Sequence, residues 1–387
     1  MKTSTALAAA TLTLTGVASA LALVQNQPVI AGGMLHEHGR RHPGPDSARV
    51  EAFLGALHAT DPMICEMITD QLGNFWSSSG DEGVGLLEGS NRSWEESRDS
   101  LASGVTDPAA QRRVLKAMDD TDACVRRAAA KMAGRSTPAL SAELRSALRS
   151  GSPRVREAAA LALGHAEAKD FRDDLDRATR DASPAVVAMA TWALGELELK
   201  ETAPRLIELT GSREVRVRRA AANALGQIED VRGVPALIPL LRDADVGVRV
   251  LAAEALGDIE NISAAEPLAA ALKDASPRVR YAAAGALGDL DGLETAPQEL
   301  IDALGSDDLL LKRKAAEALA EIHDAKAVPA LGRAMSDPDL ETRRAVVHAL
   351  AEIESDATVP YLLRAIKDSD PEFRKTAAEA LGDRKEN

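Results

Sequence analysis

Aromatic side chains are scarce in this sequence: Phe, Trp and Tyr make up 2% of its 387 residues, whereas apolar residues of all kinds make up 45%. A buried core must therefore consist mainly of Ala, Leu and Val. Side chains this small allow helices to pack closely, so the composition favours helices packed on helices.

Positive charge is also in short supply. Lys and Arg number 46 against 60 Asp and Glu, which gives a net charge of −14 at pH 7. Binding to DNA or RNA depends on cations that neutralise phosphates, and this chain as a whole would repel them. We therefore expect no nucleic-acid partner.

Long apolar runs are confined to the N-terminus. After Lys2, residues 6–24 are rich in Ala, Leu and Thr, and two small-x-small cleavage motifs lie between Ala18 and Ala22. This pattern predicts a Sec-type signal peptide over 1–22, hence a periplasmic or secreted protein with no membrane span after cleavage. An uncleaved anchor helix is the alternative, since the run is just long enough to span a bilayer, but its dilution by Thr favours cleavage. The Ala- and Arg-rich composition is typical of a bacterial source.

Cysteine is limited to Cys65 and Cys124. In an oxidising compartment an even number of thiols permits pairing, here a single disulfide. Whether the two can meet depends on how the chain between them folds.

The sequence is dominated by one short unit repeated in tandem. The unit SPRVRYAAAGALGDL, from Ser276, returns with small changes from Ser152, Arg213 and Asp245, and its closing small residue recurs every 30 to 32 residues. Those closing positions are Gly134, Gly164, Gly195, Gly226, Gly257, Gly288, Ala320, Ala351 and Gly382. A fixed period of this length predicts a solenoid, in which each repeat buries its core only against its neighbours.

Nine copies are predicted over 104–387, each with a first helix, a short turn that often contains Ser-Pro or Asp-Pro, and a second helix. Pro suits the first turn of a helix, because its missing N–H would have no partner there. We expect the Gly that usually closes the second helix to take the left-handed conformation that caps a helix C-terminus.

The first hundred residues depart from this regularity. Residues 23–45 are polar with Gly and Pro and predict a flexible linker, whose three His lack a fixed coordination shell for a metal. Residues 46–103 predict a degenerate N-terminal repeat, with Asp61–Gly73 as its second helix, followed by an acidic, Gly- and Ser-rich stretch from Asn74. That stretch, 74–103, is either a decayed repeat or a loop insertion, and the preserved repeat phase favours the decayed repeat.

These two interpretations decide whether the cysteines meet. If 74–103 loops out, Cys65 and Cys124 approach each other and can form a disulfide. If it stacks as a repeat, they lie two layers apart, roughly 18 Å by helix spacing, too far for a bond that needs Cα atoms within about 7 Å. The favoured decayed repeat therefore predicts free thiols.

The pattern D-x-x-x-x-V-R-x-A-A-A-x-A-L-G, as in Asp274–Gly288, resembles the short HEAT repeat of phycobilin lyase subunits and related proteins. The resemblance covers about 104–387 clearly and 46–73 weakly. It implies an all-α fold, an α-solenoid (superhelix) of about ten to eleven HEAT-like helical pairs. It also implies that the recurring Asp and Arg, such as Asp274 and Arg280, form a ladder between neighbouring repeats. Such a motif specifies the fold and leaves the chemistry open.

Deoxyhypusine hydroxylase is a similar solenoid that binds two irons through His-Glu pairs in its second helices, at the slots held here by Glu157 and Ala158. No second helix of this sequence carries His-Glu at those slots, and the one such pair, His36-Glu37, lies in the linker. We therefore predict no catalytic residue, no metal and no cofactor, and a protein that is not an enzyme. A solenoid enzyme of the phycobilin-lyase type, or an oxidoreductase of the deoxyhypusine-hydroxylase type, is the alternative.

Two surface columns vary freely while the core positions repeat. One is the slot of Glu157 and the other is that of Leu161, one helical turn later. In HEAT-like solenoids second helices line the concave face, so these columns would line a groove, and apolar or aromatic residues there favour protein recognition. The predicted protein-binding residues are Leu161, Trp192, Asn223, Val250 and Tyr281, with Arg219, Arg313, Arg344 and Lys375 offered to acidic groups.

The function expected from the sequence is thus an exported, monomeric, non-catalytic scaffold that binds a protein or peptide along its concave face. For Trp192 the alternative stays open that its ring packs against a neighbouring repeat.

Overall fold

The computed structural model describes residues 46–58, 65 and 104–383. The predicted signal peptide 1–22, the linker 23–45 and the stretch 74–103 lie outside the described residues. Within the described ranges the chain forms 19 α-helices and no strand, which confirms the predicted all-α solenoid class. The chain divides into two compact units, Met1–Leu197 and Glu198–Asn387.

The described part of the first unit begins with helix α1 (Ser47–Ala56), and helices in pairs follow from residue 104 onwards. The described pairs are α2 (Pro108–Ala117) with α3 (Ala123–Arg135), α4 (Ser141–Ala147) with α5 (Pro153–His165), and α6 (Arg172–Ala178) with α7 (Pro184–Glu196). In α1, Val50 and Leu54 are buried, and the helix packs on α2 and α3.

The second unit is built of further pairs of the same kind. They are α8 (Ala203–Leu209) with α9 (Val215–Gln227), α10 (Val234–Leu240) with α11 (Val246–Asp258), α12 (Ala265–Ala271) with α13 (Pro277–Gly288), α14 (Gln298–Ala303) with α15 (Leu309–Ile322), α16 (Val328–Ala334) with α17 (Leu340–Glu352), and α18 (Val359–Ala365) with α19 (Pro371–Asp383). One-turn 3₁₀ segments lead into most first helices, at Lys169–Phe171, Lys200–Thr202, Val231–Gly233, Ile262–Ala264, Ala325–Ala327 and Asp356–Thr358.

The core lies within each pair and between successive second helices. In the first unit α3 packs on α5 and α5 on α7; in the second unit the odd-numbered helices α9 to α19 pack one on the next. The buried face of α11 shows why: Val248, Ala252, Ala255 and Leu256 recur at helical spacing and are at most 1% exposed. Short Ala side chains let these helices approach closely.

The prediction that the closing glycines are left-handed caps is wrong. The left-handed residues come three positions later, at Glu167, Glu198, Glu229 and Glu260, and at His323 in a later repeat. The glycines serve helix packing instead: a Cβ on Gly257 would lie 2.9 Å from Cα of Ala286 in the next second helix. Gly is required there because the two helix backbones nearly touch.

The predicted Asp–Arg ladder is confirmed. Arg218 donates from Nε and Nη2 to the carboxylate of Asp243, one repeat on, at 2.7 and 2.9 Å. Its Nη1 also donates to the carbonyl of Ser212 in its own repeat. Equivalent bridges join Arg156 to Asp181, Arg249 to Asp274 and Lys312 to Asp337. Arg280 binds the N-cap residue Asp308 instead, because Ser306 stands where these repeats have the ladder Asp.

The two cysteines are joined. Cys65 lies in helical conformation and forms a disulfide with Cys124 of α3, with Cα atoms 5.7 Å apart. They are therefore not two layers apart, the separation that a stacked repeat in 74–103 would impose, and the expectation of free thiols is wrong. Direct packing of α1 on α2 agrees with this arrangement.

Candidate protein-binding surface

The predicted binding residues lie on the second helices, on a surface made of two columns. Column one is the Glu157 slot and column two the Leu161 slot; together we call them the second-helix surface. In the second unit this surface runs along α9, α11, α13, α15, α17 and α19. The core face of each helix fixes the direction in which both columns project, because residues at i and i+4 share one side.

The predicted basic residues of column one are engaged within the protein. Arg219 donates from Nε and Nη2 to Asp245 at 2.8 and 2.7 Å. Arg313 binds Asp339 through two nitrogens in the same way, and Arg344 reaches Asp370 at 2.9 Å. These three arginines are thus already paired with aspartates of the next repeat, and their contact with acidic groups of a partner stays a prediction.

Those acceptors share one position, the N-cap of the next second helix. Asp245 and Asp339 each also accept a backbone N–H of their own helix, from Val248 and Thr342. Hydrogen bonds from the Thr342 side chain and backbone, followed by Arg313, lower the pKa of Asp339 to about 2. The column-one residues thus form a second inter-repeat ladder. Each of its donors lies one residue after a donor of the predicted ladder.

Lys375 is the exception in this column. It is exposed on α19, the last helix of the described chain, and no following repeat supplies an N-cap Asp within the described residues. Of the four predicted cations it alone has no ion pair within the described residues.

Tyr281 takes the place of an arginine in the same ladder. Its hydroxyl donates to the carboxylate of Asp308, with Oδ2 at 2.8 Å, and this hydrogen bond raises the pKa of the phenol. Arg280 binds the same carboxylate at 2.8 Å. The Tyr281 side chain is half-buried.

Trp192 packs against the preceding repeat, which is the alternative left open by the sequence. Its ring meets His165 edge-on, with centroids 5.1 Å apart. Cζ3 of the indole lies 2.5 Å from the position that a Cβ on Gly164 would occupy, so the indole packs directly on that glycine. The side chain remains partly exposed at the surface of the first unit.

The remaining predicted residues differ in exposure. Leu161 and Asn223 are half-buried, and the Asn223 amide donates to Gln227 at 3.1 Å. Val250 is only 6% exposed, so its expected place in an open groove is wrong.

The main feature missed from the sequence is a row of carboxylates on the second unit. Asp258, Asp289, Glu321 and Glu352 each follow the small residue that closes a second helix, and all four are exposed. Column two adds Glu254, Glu317 and Glu379 beside them. The sequence could have predicted this row, because the residue that follows the closing small residue is acidic in these four successive repeats.

The stacking of these groups perturbs their ionisation. Loss of hydration, and then the carboxylates of Asp289, Glu229 and Glu260, raise the pKa of Asp258. Desolvation, reinforced by Glu321, likewise raises the pKa of Asp289. Neither carboxylate has a cation within bonding distance in the described chain, so this row attracts positive charge.

The described residues contain neither a cluster of metal-ligating side chains nor a membrane-spanning helix. Across 46–58, 65 and 104–383 no three His, Cys, Asp or Glu side chains lie together as metal ligands would. Over the same ranges no helix has the length and apolar character needed to cross a bilayer.

Comparison with known proteins identifies the repeat. A family profile described as HEAT repeats matches residues 175–247, 234–310 and 297–382, together more than half of the chain. No curated protein sequence matches the chain.

The chain is similar to several solved structures, the first of which shares its fold. The Escherichia coli protein YibA is 19% identical, with a TM-score of 0.52, over 68% of this chain and 97% of its own. An engineered protein is 20% identical, with a TM-score of 0.48, over 86% of this chain and 95% of its own. The complex of CpcE and CpcF of phycocyanin lyase from Nostoc sp. PCC7120 is 26% identical, with a TM-score of 0.38, over 57% of this chain and 91% of the other. The repeat profile, the stacked helical pairs and the inter-repeat ladder together establish that this chain belongs to the HEAT repeat family.

Proposed function

We propose that this protein is an exported, non-catalytic HEAT-repeat scaffold that binds a protein partner through its second-helix surface. Proteins built of HEAT repeats typically bind protein partners. The observation that carries the proposal is the contrast between core positions that repeat and surface positions that vary, which is how a solenoid gives a generic frame an individual binding face.

The acidic row extends column two by one helical turn, because each of its carboxylates lies four residues after a column-two residue. It defines the partner's chemistry on the second unit. Asp258, Asp289 and Glu321 are exposed and unneutralised, whereas the arginines beside them are bound to N-cap aspartates. A partner that presents Lys or Arg side chains gains charge-assisted hydrogen bonds there and relieves the repulsion between the stacked carboxylates. On the first unit, the partly exposed Leu161 and Trp192 offer apolar contact area.

A neutralising triple variant tests this surface. Asp258→Asn, Asp289→Asn and Glu321→Gln together should lower affinity for a partner captured by the wild-type protein by at least tenfold, and should flatten its salt dependence. The matched control removes three exposed carboxylates elsewhere in the same unit, through Glu201→Gln, Glu266→Gln and Asp307→Asn. Equal loss in both triple variants would show that net charge, and not this surface, governs binding.

Export is the second part of the proposal. It rests on the apolar, cleavage-competent run at 6–24 and on the capacity of the two cysteines to pair. N-terminal sequencing of the protein purified from its source should begin just after Ala20 or Ala22. A protein that begins at Met1 would remove the basis for a periplasmic or secreted location.

The rival class is a solenoid enzyme of the chromophore-lyase or metal-hydroxylase type. Such an enzyme needs a bound pigment or metal when isolated from its natural source. Elemental analysis and a visible absorption spectrum should therefore be blank for the scaffold, and light scattering should give the mass of a monomer. A stoichiometric metal or pigment would favour the enzyme.

A further inference from the structure

A row of exposed apolar side chains runs along one edge of the second unit. Val231 and Ile262 are 56% and 52% exposed, more than any other large apolar side chain in the described chain. Each is the first residue of a 3₁₀ turn between repeats. Leu293 lies 31 residues after Ile262, in an irregular connection, and is half-buried. Single exposed apolar residues are ordinary, but the same slot filled three times in succession is not.

Large apolar residues occupy this slot in only three successive repeats of the described chain. The same slot is Lys169 and Lys200 in the preceding repeats, and Ala325 and Asp356 in the following ones. Nothing in the repeat therefore demands an apolar residue at this position. The three residues Val231, Ile262 and Leu293 form a defined patch, which we call the turn edge.

The turns of the turn edge lie side by side. The amide of Asp291 donates to the carbonyl of Glu260 at 3.1 Å, which joins the second and third turns. Arg232 donates to the carbonyl of Lys200 at 2.7 Å and ties the first turn to the one before it. Packed helices lie roughly 8–10 Å apart, so the apolar side chains are spaced by about that distance.

The surroundings of the turn edge are anionic. Exposed Glu229, Glu260 and Asp291 lie two residues before its three apolar residues. The carboxylate of Asp258 adjoins the first two of them closely enough for each to raise its pKa. Arg232, a cation of the first turn, is paired with Asp230 at 2.6 Å. An anionic membrane, or a second copy of this acidic chain, would be repelled here.

We propose that the turn edge docks a basic amphipathic helix of a partner protein, a surface distinct from the second-helix surface. Seven helical residues rise about 10.5 Å and return to nearly the same face, so apolar residues at i, i+7 and i+14 match the spacing of the three turns. Lys or Arg beside them meets the flanking carboxylates. An extended segment would find no strand edge in the described chain with which to pair its backbone, whereas a helix satisfies its own.

Two synthetic helical peptides of identical composition test the spacing. Both contain Ala, Lys and three Leu; in one the Leu residues are seven apart, and in the other they are five apart and spiral around the helix. At low salt the first should bind the full-length protein measurably more tightly than the second. Val231→Ser with Ile262→Ser should weaken binding of the first peptide about tenfold, the loss expected from two partly buried aliphatic side chains.

The matched control is Val246→Ser, which removes a similar exposed valine, 37% exposed, at the start of α11. It should leave the affinity unchanged, and thermal unfolding should show all variants folded.

The proposal is overturned if both peptides bind equally, if Val246→Ser weakens binding as much as the double variant, or if neither peptide binds. It is also overturned if the double variant abolishes self-association of the wild-type chain or binding to anionic lipid vesicles, since the occupant would then be a second copy or a membrane. The serine variants report on the turn edge alone, whereas the Asp258, Asp289 and Glu321 triple variant also removes charge beside it, because Asp258 adjoins Glu229 and Glu260.

Discussion

At the scale of the residue, the inter-repeat ion pairs are the contacts most open to test. Arg218 and Asp243 have side chains only 15% and 10% exposed, and two hydrogen bonds join them. Arg218→Met should cost about 2–3 kcal/mol of unfolding free energy, because it leaves the Asp243 carboxylate without its partner. Urea denaturation at pH 7 measures this, and Arg216→Met, an exposed position on the same helix, should cost almost nothing.

The same pair has a pH signature. The hydrogen bond from Arg218 holds the pKa of Asp243 below its ordinary value. A depressed carboxyl pKa contributes stability above the unfolded pKa of about 4, and that contribution is lost as pH falls through the folded pKa. The stability gap between wild type and Arg218→Met should therefore be constant from pH 5 to 7 and shrink below pH 4. A gap that persists undiminished at pH 2.5 would mean that Arg218 acts through packing alone.

The acidic row should behave in the opposite way. Desolvation and neighbouring carboxylates raise the pKa of Asp258, so its ionised form destabilises the folded state as pH rises through that pKa. Asp258→Asn should stabilise the protein at pH 7 by about 0.5 kcal/mol, a figure kept small because the carboxylate is exposed to solvent. The gain should vanish below pH 4, where both states are protonated. Asp307→Asn, which removes an equal charge elsewhere, should give no comparable gain.

At the scale of the element, substitution by Ala should have opposite effects on stability at two glycines in adjacent second helices. A Cβ on Gly257 of α11 would meet the backbone and side chain of Ala286, whereas a Cβ on Gly285 of α13 would meet nothing within 4 Å. Gly285→Ala should stabilise by roughly 0.5–1 kcal/mol through helix propensity. Gly257→Ala should destabilise by about 1–2 kcal/mol despite that gain, because it forces the helices apart. Thermal unfolding of the two variants, which have identical chemistry, separates packing from propensity; similar shifts in both would contradict this account.

The sequence predicts the helices and the first ladder because both depend on spacing within one repeat and its neighbour. The closing glycines were misassigned because Gly at a helix end has two uses, and only the approach of Ala286 to Gly257 reveals which applies. The partners of Arg219 and Arg313 were missed for a related reason. Each carboxylate lies 26 residues away, a distance that becomes contact only once repeats are stacked in the observed register. Val250 was misjudged because exposure depends on side-chain length as much as on the slot.

At the scale of the whole molecule, contacts in a repeat solenoid are local, so a covalent link stabilises the layers that it joins and few others. The Cys65–Cys124 disulfide ties the N-terminal layer to α3 in the first unit. Its sequence separation of 59 residues predicts stabilisation of up to about 4 kcal/mol in the chain-entropy account.

Reduction should therefore weaken the first unit and leave the far end of the chain unchanged. Hydrogen exchange read peptide by peptide should show, on adding reductant, faster exchange in α1 and α2, with no change in α17 and α19. A variant carrying Cys65→Ser and Cys124→Ser should match the reduced protein and respond no further to reductant, which excludes an effect of the reagent itself. Alkylation of the oxidised native protein should find no free thiol. Two titratable thiols per chain, or exchange that rises equally in α19, would show that the disulfide does not hold the first unit together.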